Sequence, residues 1–185
     1  ATAFGAGEKI EVATEIANIG AAIAVGKFGT AEISIQEIVV VSNKGSNFSG
    51  SRVQSEDEIT MTVRLSKAKG EKIVMTNGCF DVLHLGHVRL LIEAKSLGDR
   101  LLVAVNDDDS VKHLKGAPRP INGLEGRMEV LAALESVDWV VPFSGLTPEP
   151  LIEKILPDFL VKGGDYQSQE IVGASVVKAN GGRVE

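Results

Sequence analysis

From residue 72 onward, short apolar runs alternate with stretches whose apolar residues recur at helical spacing. The runs Lys72–Thr76, Leu101–Val105, Trp139–Pro142 and Phe159–Val161 predict strands. Between them, helices are predicted over 86–97, 123–135, 148–155 and 169–179, and Arg183-Val184-Glu185 reads as the start of one more strand. Ser55 and Glu58 form a capping box that opens a helix reaching Lys69. Strand–helix alternation of this kind predicts an α/β fold, a Rossmann-like parallel sheet with helices on both faces. Ligands in such a sheet sit beyond the carboxyl ends of the strands.

The first quarter of the chain follows another pattern. Ile10, Ala13, Ile16, Ala17, Ala21 and Ala24 line one face of a helix over 8–25 that Gly26 ends, and Ser34 with Glu37 opens a shorter helix. A Ser, Asn and Gly-rich stretch then marks a boundary. The expected organisation is a helical segment over 1–42, a linker over 43–54 and a main domain over 55–185. About forty residues cannot bury a core of their own. The apolar face of helix 8–25 must therefore pack on the main domain, pair with another chain or stay poorly ordered, and of these self-association, giving a homo-oligomer, is the expectation.

Composition narrows the function. A net charge of −6 opposes a role on DNA or RNA backbones, whose readers carry a basic face. The stretch Ile16–Val25 is the longest apolar one, contains Asn18 and Gly20, and is too short to span a bilayer. Cys79 is the single cysteine, which fits a reducing compartment, and no signal peptide is evident, so a cytoplasmic location without membrane attachment is expected.

The most specific chemistry lies in Thr76-Asn77-Gly78-Cys79-Phe80-Asp81-Val82-Leu83-His84-Leu85-Gly86-His87, between a predicted strand and a predicted helix. Free N–H groups and the positive dipole end of a helix's first turn favour phosphate. Gly78 and Gly86 permit close backbone approach. His84 and His87 are three apart and can face one bound group. After the second strand come Asn106-Asp107-Asp108-Asp109, then Lys112, Lys115 and Arg119, cations suited to a triphosphate; Arg127 falls near the start of the next helix. Lys162-Gly163-Gly164-Asp165-Tyr166 ends the fourth strand. Asp107 to Asp109 look like a metal cluster but read better as caps of a following helix, and no protein metal site is expected. Cys79 reads as a packing or backbone-contact residue, Trp139 as core; His113 has no assignable role.

These motifs together, with Lys115–Asn122, Glu125 and Val137–Val141, resemble the cytidylyltransferase-like nucleotidyltransferases. Within them the chain is similar to the adenylyltransferase half of bifunctional heptose kinase and adenylyltransferase enzymes of ADP-heptose synthesis. The segment 1–42 resembles the closing helices of the ribokinase-like half. Gly5-Ala6-Gly7-Glu8 is not that half's anion hole, because Glu8 stands where an Asp is required, so no kinase activity is expected.

The resemblance implies transfer of AMP from ATP to D-glycero-β-D-manno-heptose 1-phosphate, with release of pyrophosphate and with Mg²⁺ carried in on the triphosphate. It implies that His84, His87, Lys115 and Arg127 act on the phosphates, His84 and His87 as neutral imidazoles. It also implies that Thr76, Asn77, Gly78, Cys79, Phe80, Asp81, Gly86, Asn106, Asp107, Lys162, Gly163, Gly164 and Asp165 form the nucleotide site. The family carries a further strand and a Ser-Thr-rich phosphate-contacting turn beyond the position matching Glu185, so nucleotide binding is expected to outlast turnover in this chain. The turn motif alone does not choose the base. A cytidylyltransferase for glycerol 3-phosphate and a non-catalytic nucleotide-binding fragment are the alternatives.

Overall fold

The computed structural model describes residues 52–164 and 171–185. The chain divides into two compact units, Ala1–Gly50 and Ser51–Glu185. The expectations for helix 8–25, the Ser34 helix, residues 43–51 of the linker and Asp165 fall outside the described residues.

Helix α1 (Glu56–Ala68) leads into β1 (Ile73–Gly78), α2 (Leu85–Lys95), β2 (Arg100–Asn106), α3 (Asp108–Lys115), α4 (Leu124–Ala132), β3 (Trp139–Phe143), α5 (Glu149–Ile155), β4 (Phe159–Val161), α6 (Ala174–Ala179) and β5 (Arg183–Val184). The described strands form one sheet in the order β3-β2-β1-β4-β5, with every neighbouring pair parallel. The predicted fold class is the one found.

Alternation along each strand builds two cores. Ile73, Met75, Leu102, Ala104, Val141 and Leu160 meet Ile59 and Val63 of α1, Ile152 of α5 and Val177 of α6 on one face. Val74, Leu101, Val103, Val105, Val140 and Val161 meet Leu91 of α2 and Leu131 of α4 on the other. Leu91 and Leu131 are fully buried, each stabilising by about 1.5–3 kcal/mol. That burial fixes the helices whose first turns face the strand ends.

Chain order reverses at β1, which has β2 on one side and β4 on the other. The last β1–β4 pair is Thr76 with Val161, so Asn77-Gly78 and Lys162-Gly163 leave the sheet side by side. A crevice at this switch point is where an open α/β sheet holds its ligand.

Three elements differ from the sequence pattern. Helix α3 was absent from the predicted alternation because it is mostly polar, with Ser110 and Val111 its buried residues. Helix α6 starts at Ala174 rather than 169: Gly173 has a left-handed backbone (φ 82°) that cannot lie inside a helix. Finally, residues 52–54 of the expected linker belong to the sheet unit. Val53 bridges Val140 on the outer edge of β3, and Arg52 donates from Nη1 to the carbonyls of Ala132 and Leu134 at the end of α4.

Candidate active site

A cavity of about 650 Å³ opens at the switch point. Its wall is built from the turn after β1 (Asn77 to Phe80), the start and outer face of α2 (His84, Gly86, His87, Arg89, Leu90 and Glu93), Lys115 at the end of α3, and Lys162 to Gly164 after β4.

The two histidines are the caps of α2. His84 is the N-cap residue, and its Nδ1 accepts from the Gly86 N–H at 3.1 Å. His87, at the third helical position, reaches back so that its Nδ1 accepts from the His84 N–H at 3.4 Å. A ring nitrogen that accepts carries no proton, so this hydrogen-bond pattern assigns both rings the Nε2–H tautomer. Each ring thus keeps one donor, and among the described residues nothing accepts from it. The rings stack, centroids 3.9 Å apart and 31° between planes.

Gly86 makes this possible. A Cβ there would lie 2.9 Å from His84 Cε1 and 3.0 Å from Nδ1, so the spacing His-x-Gly-His leaves room for the first ring against the helix start. Burial lowers the His87 pKa below its ordinary value, and repulsion from His84 and Lys115 adds to it. His87 is therefore neutral at pH 7, as expected from the helix terminus, but chiefly because it is desolvated.

Lys162 is half-buried on the opposite wall and donates from Nζ to Asn77 Oδ1 at 2.9 Å. Burial lowers its pKa as well. Among the described residues no carboxylate lies within ion-pair distance of it, so its charge is not neutralised within the fold. Lys115 is exposed at the cavity mouth. Two lysines and two Nε2–H groups around one cleft suit a polyanion.

Other predicted site residues stand behind the wall. Arg127 was expected to pair with phosphate; its side chain is 1% exposed. It donates from Nε to the Asn122 carbonyl (3.0 Å), from Nη1 to the Cys79 carbonyl (2.6 Å) and from Nη2 to Asp108 Oδ1 (2.7 Å). Three of the five N–H donors of this guanidinium are thus taken by protein acceptors, and the side chain does not line the cavity. Asp81, also 1% exposed, accepts from Arg119 Nη1 at 2.7 Å and from the N–H groups of Ile121 and Asn122. Burial alone would raise its pKa, but these donors overcome it and hold the carboxyl below its ordinary range.

Asp107 caps α3, accepting from the Ser110 N–H. Asn106 is buried, donating to Ser110 Oγ and lying 3.9 Å from the Cys79 thiol. Thr76 is buried, its hydroxyl without a hydrogen-bond partner among the described residues. Lys112 pairs with Asp109 on the surface. Asn106 and Asp107 thus hold elements in place rather than line the cavity.

Sequence spacing overlooked Arg89, Leu90 and Glu93. The signal was present: 86, 87, 90 and 93 repeat at helical spacing from Gly86 and share a face of α2. It was masked because Leu90 reads as core and the charges as a solvated face.

Comparison with known proteins agrees with this architecture. The model of the cytidylyltransferase-like family matches residues 75–178. The Bifunctional protein HldE of Shewanella amazonensis is 54% identical over 185 residues, all of this chain and 39% of that protein. Its counterpart in Haemophilus influenzae is 55% identical over the same length. The chain thus spans about two fifths of the relatives it matches. A crystal structure of the lipopolysaccharide core biosynthesis protein from Thermoplasma volcanium superposes with a TM-score of 0.54 at 28% identity, over 62% of this chain and 95% of that one.

Proposed function

The chain belongs to the cytidylyltransferase-like family, and from that premise we propose that it transfers AMP from ATP to D-glycero-β-D-manno-heptose 1-phosphate. An oxygen of the sugar phosphate attacks the α-phosphorus, the bond to the bridging α–β oxygen breaks, and pyrophosphate leaves. The attacking oxygen is already anionic, so no general base is needed; catalysis consists of alignment and charge stabilisation.

The observation that carries this reading is the stacked histidine pair. Backbone N–H groups occupy both Nδ1 atoms, so both Nε2–H groups serve the cavity as fixed donors. Such donors need no reorganisation as charge grows on the α-phosphate and leaving group. Lys115 and Lys162 supply the cationic balance from two sides, and Asn77, Gly78, Cys79, Phe80, Gly163 and Gly164 shape the nucleotide pocket. Similarity to the HldE proteins along the whole chain supports adenine and heptose over cytosine and glycerol. The Thermoplasma relative is named a lipopolysaccharide core biosynthesis protein, which agrees with a sugar-phosphate acceptor.

Mg²⁺ carried on ATP would shield the triphosphate charge. Nitrogen donors and cations dominate the cavity wall, with Glu93 its one carboxylate among the described residues, so phosphate oxygens and water would supply most of the ion's ligands. Among the described residues no group of three or more His, Cys, Asp or Glu side chains could hold a metal, and no helix is long and apolar enough to cross a membrane. A cytoplasmic site of action follows from the ATP and sugar phosphate it would use. Self-association through helix 8–25 belongs to the same proposal; a monomer in light scattering at high concentration contradicts it.

Pyrophosphate release tests the reaction, with ATP or CTP each offered against heptose 1-phosphate and glycerol 3-phosphate. Release with ATP and the heptose is expected. Release with CTP alone overturns the assignment, and release in no combination favours a binding fragment.

A further inference from the structure

We propose that Arg127 is a positioning residue for His87: by holding the Cys79 carbonyl it locks Phe80 in a left-handed backbone conformation and so keeps the Phe80 ring beneath the His87 imidazole. The Cys79 carbonyl and the Phe80 N–H share one peptide plane. Turning that plane changes ψ at Cys79 and φ at Phe80 together, so a group that grips the carbonyl sets both. Nη1 of Arg127 grips it at 2.6 Å. Phe80 has φ 46°, a region that bulky side chains rarely enter and that persists only where the surroundings impose it.

The consequence is visible in the packing. Phe80 is 6% exposed, and its ring folds back over Gly78, where a Cβ would stand 3.2 Å from its Cε2. Its centroid lies 5.3 Å from that of His87, tilted by 58°. His87 is thereby held between Phe80 and His84. The other two contacts of Arg127, to Asn122 and Asp108, anchor the guanidinium to the loop before α4 and to the first turn of α3. It is a fixed post rather than a mobile cation.

Among the described residues, the charged and titratable groups that share the cavity with His87 are Cys79 after β1, His84, Arg89 and Glu93 on α2 and its cap, Lys115 from α3, and Lys162 after β4. None of them is altered by substituting Arg127. A lysine at 127 keeps the charge but cannot hold three acceptors in a planar fork.

The test is an NMR titration of the imidazoles in the ligand-free protein, unaltered, with Arg127→Lys and with Phe80→Leu. The chain has three histidines, so single substitutions assign each signal. Both variants are expected to raise the His87 midpoint toward the ordinary value of about 6.5 and to lower kcat about tenfold or more; KM for ATP is expected to change little in Arg127→Lys, because that side chain stands behind the cavity wall. The double variant is expected to shift the midpoint no further than either single one. A phosphate-binding Arg127 predicts instead a raised KM in Arg127→Lys and an unmoved midpoint. An unmoved midpoint in folded Arg127→Lys overturns the proposal; if that variant does not fold, Phe80→Leu decides in the same way. The reaction proposed above enters only through kcat and KM. The midpoint is read without substrate, so failure of that reaction and failure of this inference are separately visible.

Discussion

At Gly86 the absence of one carbon decides whether a histidine can stand where the chemistry needs it. A methyl group there would press on His84 Cε1 at 2.9 Å, and the ring would have to swing away from the helix start. Gly86→Ala is therefore expected to fold normally and to lose about 100-fold in kcat, the cost of displacing a catalytic group by about an ångström; steady-state kinetics beside a thermal melt checks both halves. Asp81 makes a different kind of contribution. Its pKa is lowered on folding because Arg119 and two backbone N–H groups outweigh burial, so its ionised form stabilises the native state. That contribution is present above the carboxyl's ordinary range and is lost as pH falls through its lowered folded value. Chemical denaturation between pH 5 and pH 2.5 is expected to show acid destabilisation that is shallower in Asp81→Asn; an equal slope in both proteins contradicts it. His84 and His87 were legible in the sequence because two histidines at one strand-to-helix turn have a local physical meaning. Arg127 was not. Its partner carbonyl at Cys79 is 48 positions away, and nothing in a linear pattern tells a guanidinium bound for phosphate from one bound for a peptide oxygen.

Among the elements, those with two-sided burial announced themselves. β1, β2, β3 and β4 are apolar runs because both faces of the sheet are covered, and capping residues such as Ser55 with Glu58 marked a helix start correctly. Helix α3 was missing from the apolar alternation because it lies on the surface with mostly polar residues; only the Asp107 cap announced it. The edge segment 52–54 was overlooked because a Ser and Asn-rich approach conceals one short bridge to β3. Helix α4 carries Arg127 on its inner side, and its outer side offers a clean control. Gly126 is exposed, in the first turn, and a Cβ added there would meet nothing within 4 Å. Gly126→Ala is expected to stabilise the protein by about 0.5–1 kcal/mol through helix propensity. A urea midpoint that falls instead would show that this turn is not the regular helix described.

For the whole molecule, a net charge of −6 and a cleft suited to an anion are compatible because the positive groups are gathered rather than numerous. Lys115, Lys162 and the first turn of α2 converge on one cavity at the point where strand order reverses. The sheet order is what joins β1 and β4 at that point, and it could be expected from the strand–helix alternation only in outline. Family membership then fixes the class of fold, while base and acceptor rest on likeness to longer proteins of which this chain matches 39%. The most direct measurement is ³¹P NMR of the chain incubated with Mg²⁺, ATP and D-glycero-β-D-manno-heptose 1-phosphate. Adenylyl transfer predicts pyrophosphate and a sugar nucleoside diphosphate appearing in equal amounts as ATP and the sugar phosphate disappear. Production of ADP, or an unchanged ATP spectrum alongside turnover of CTP, would contradict it.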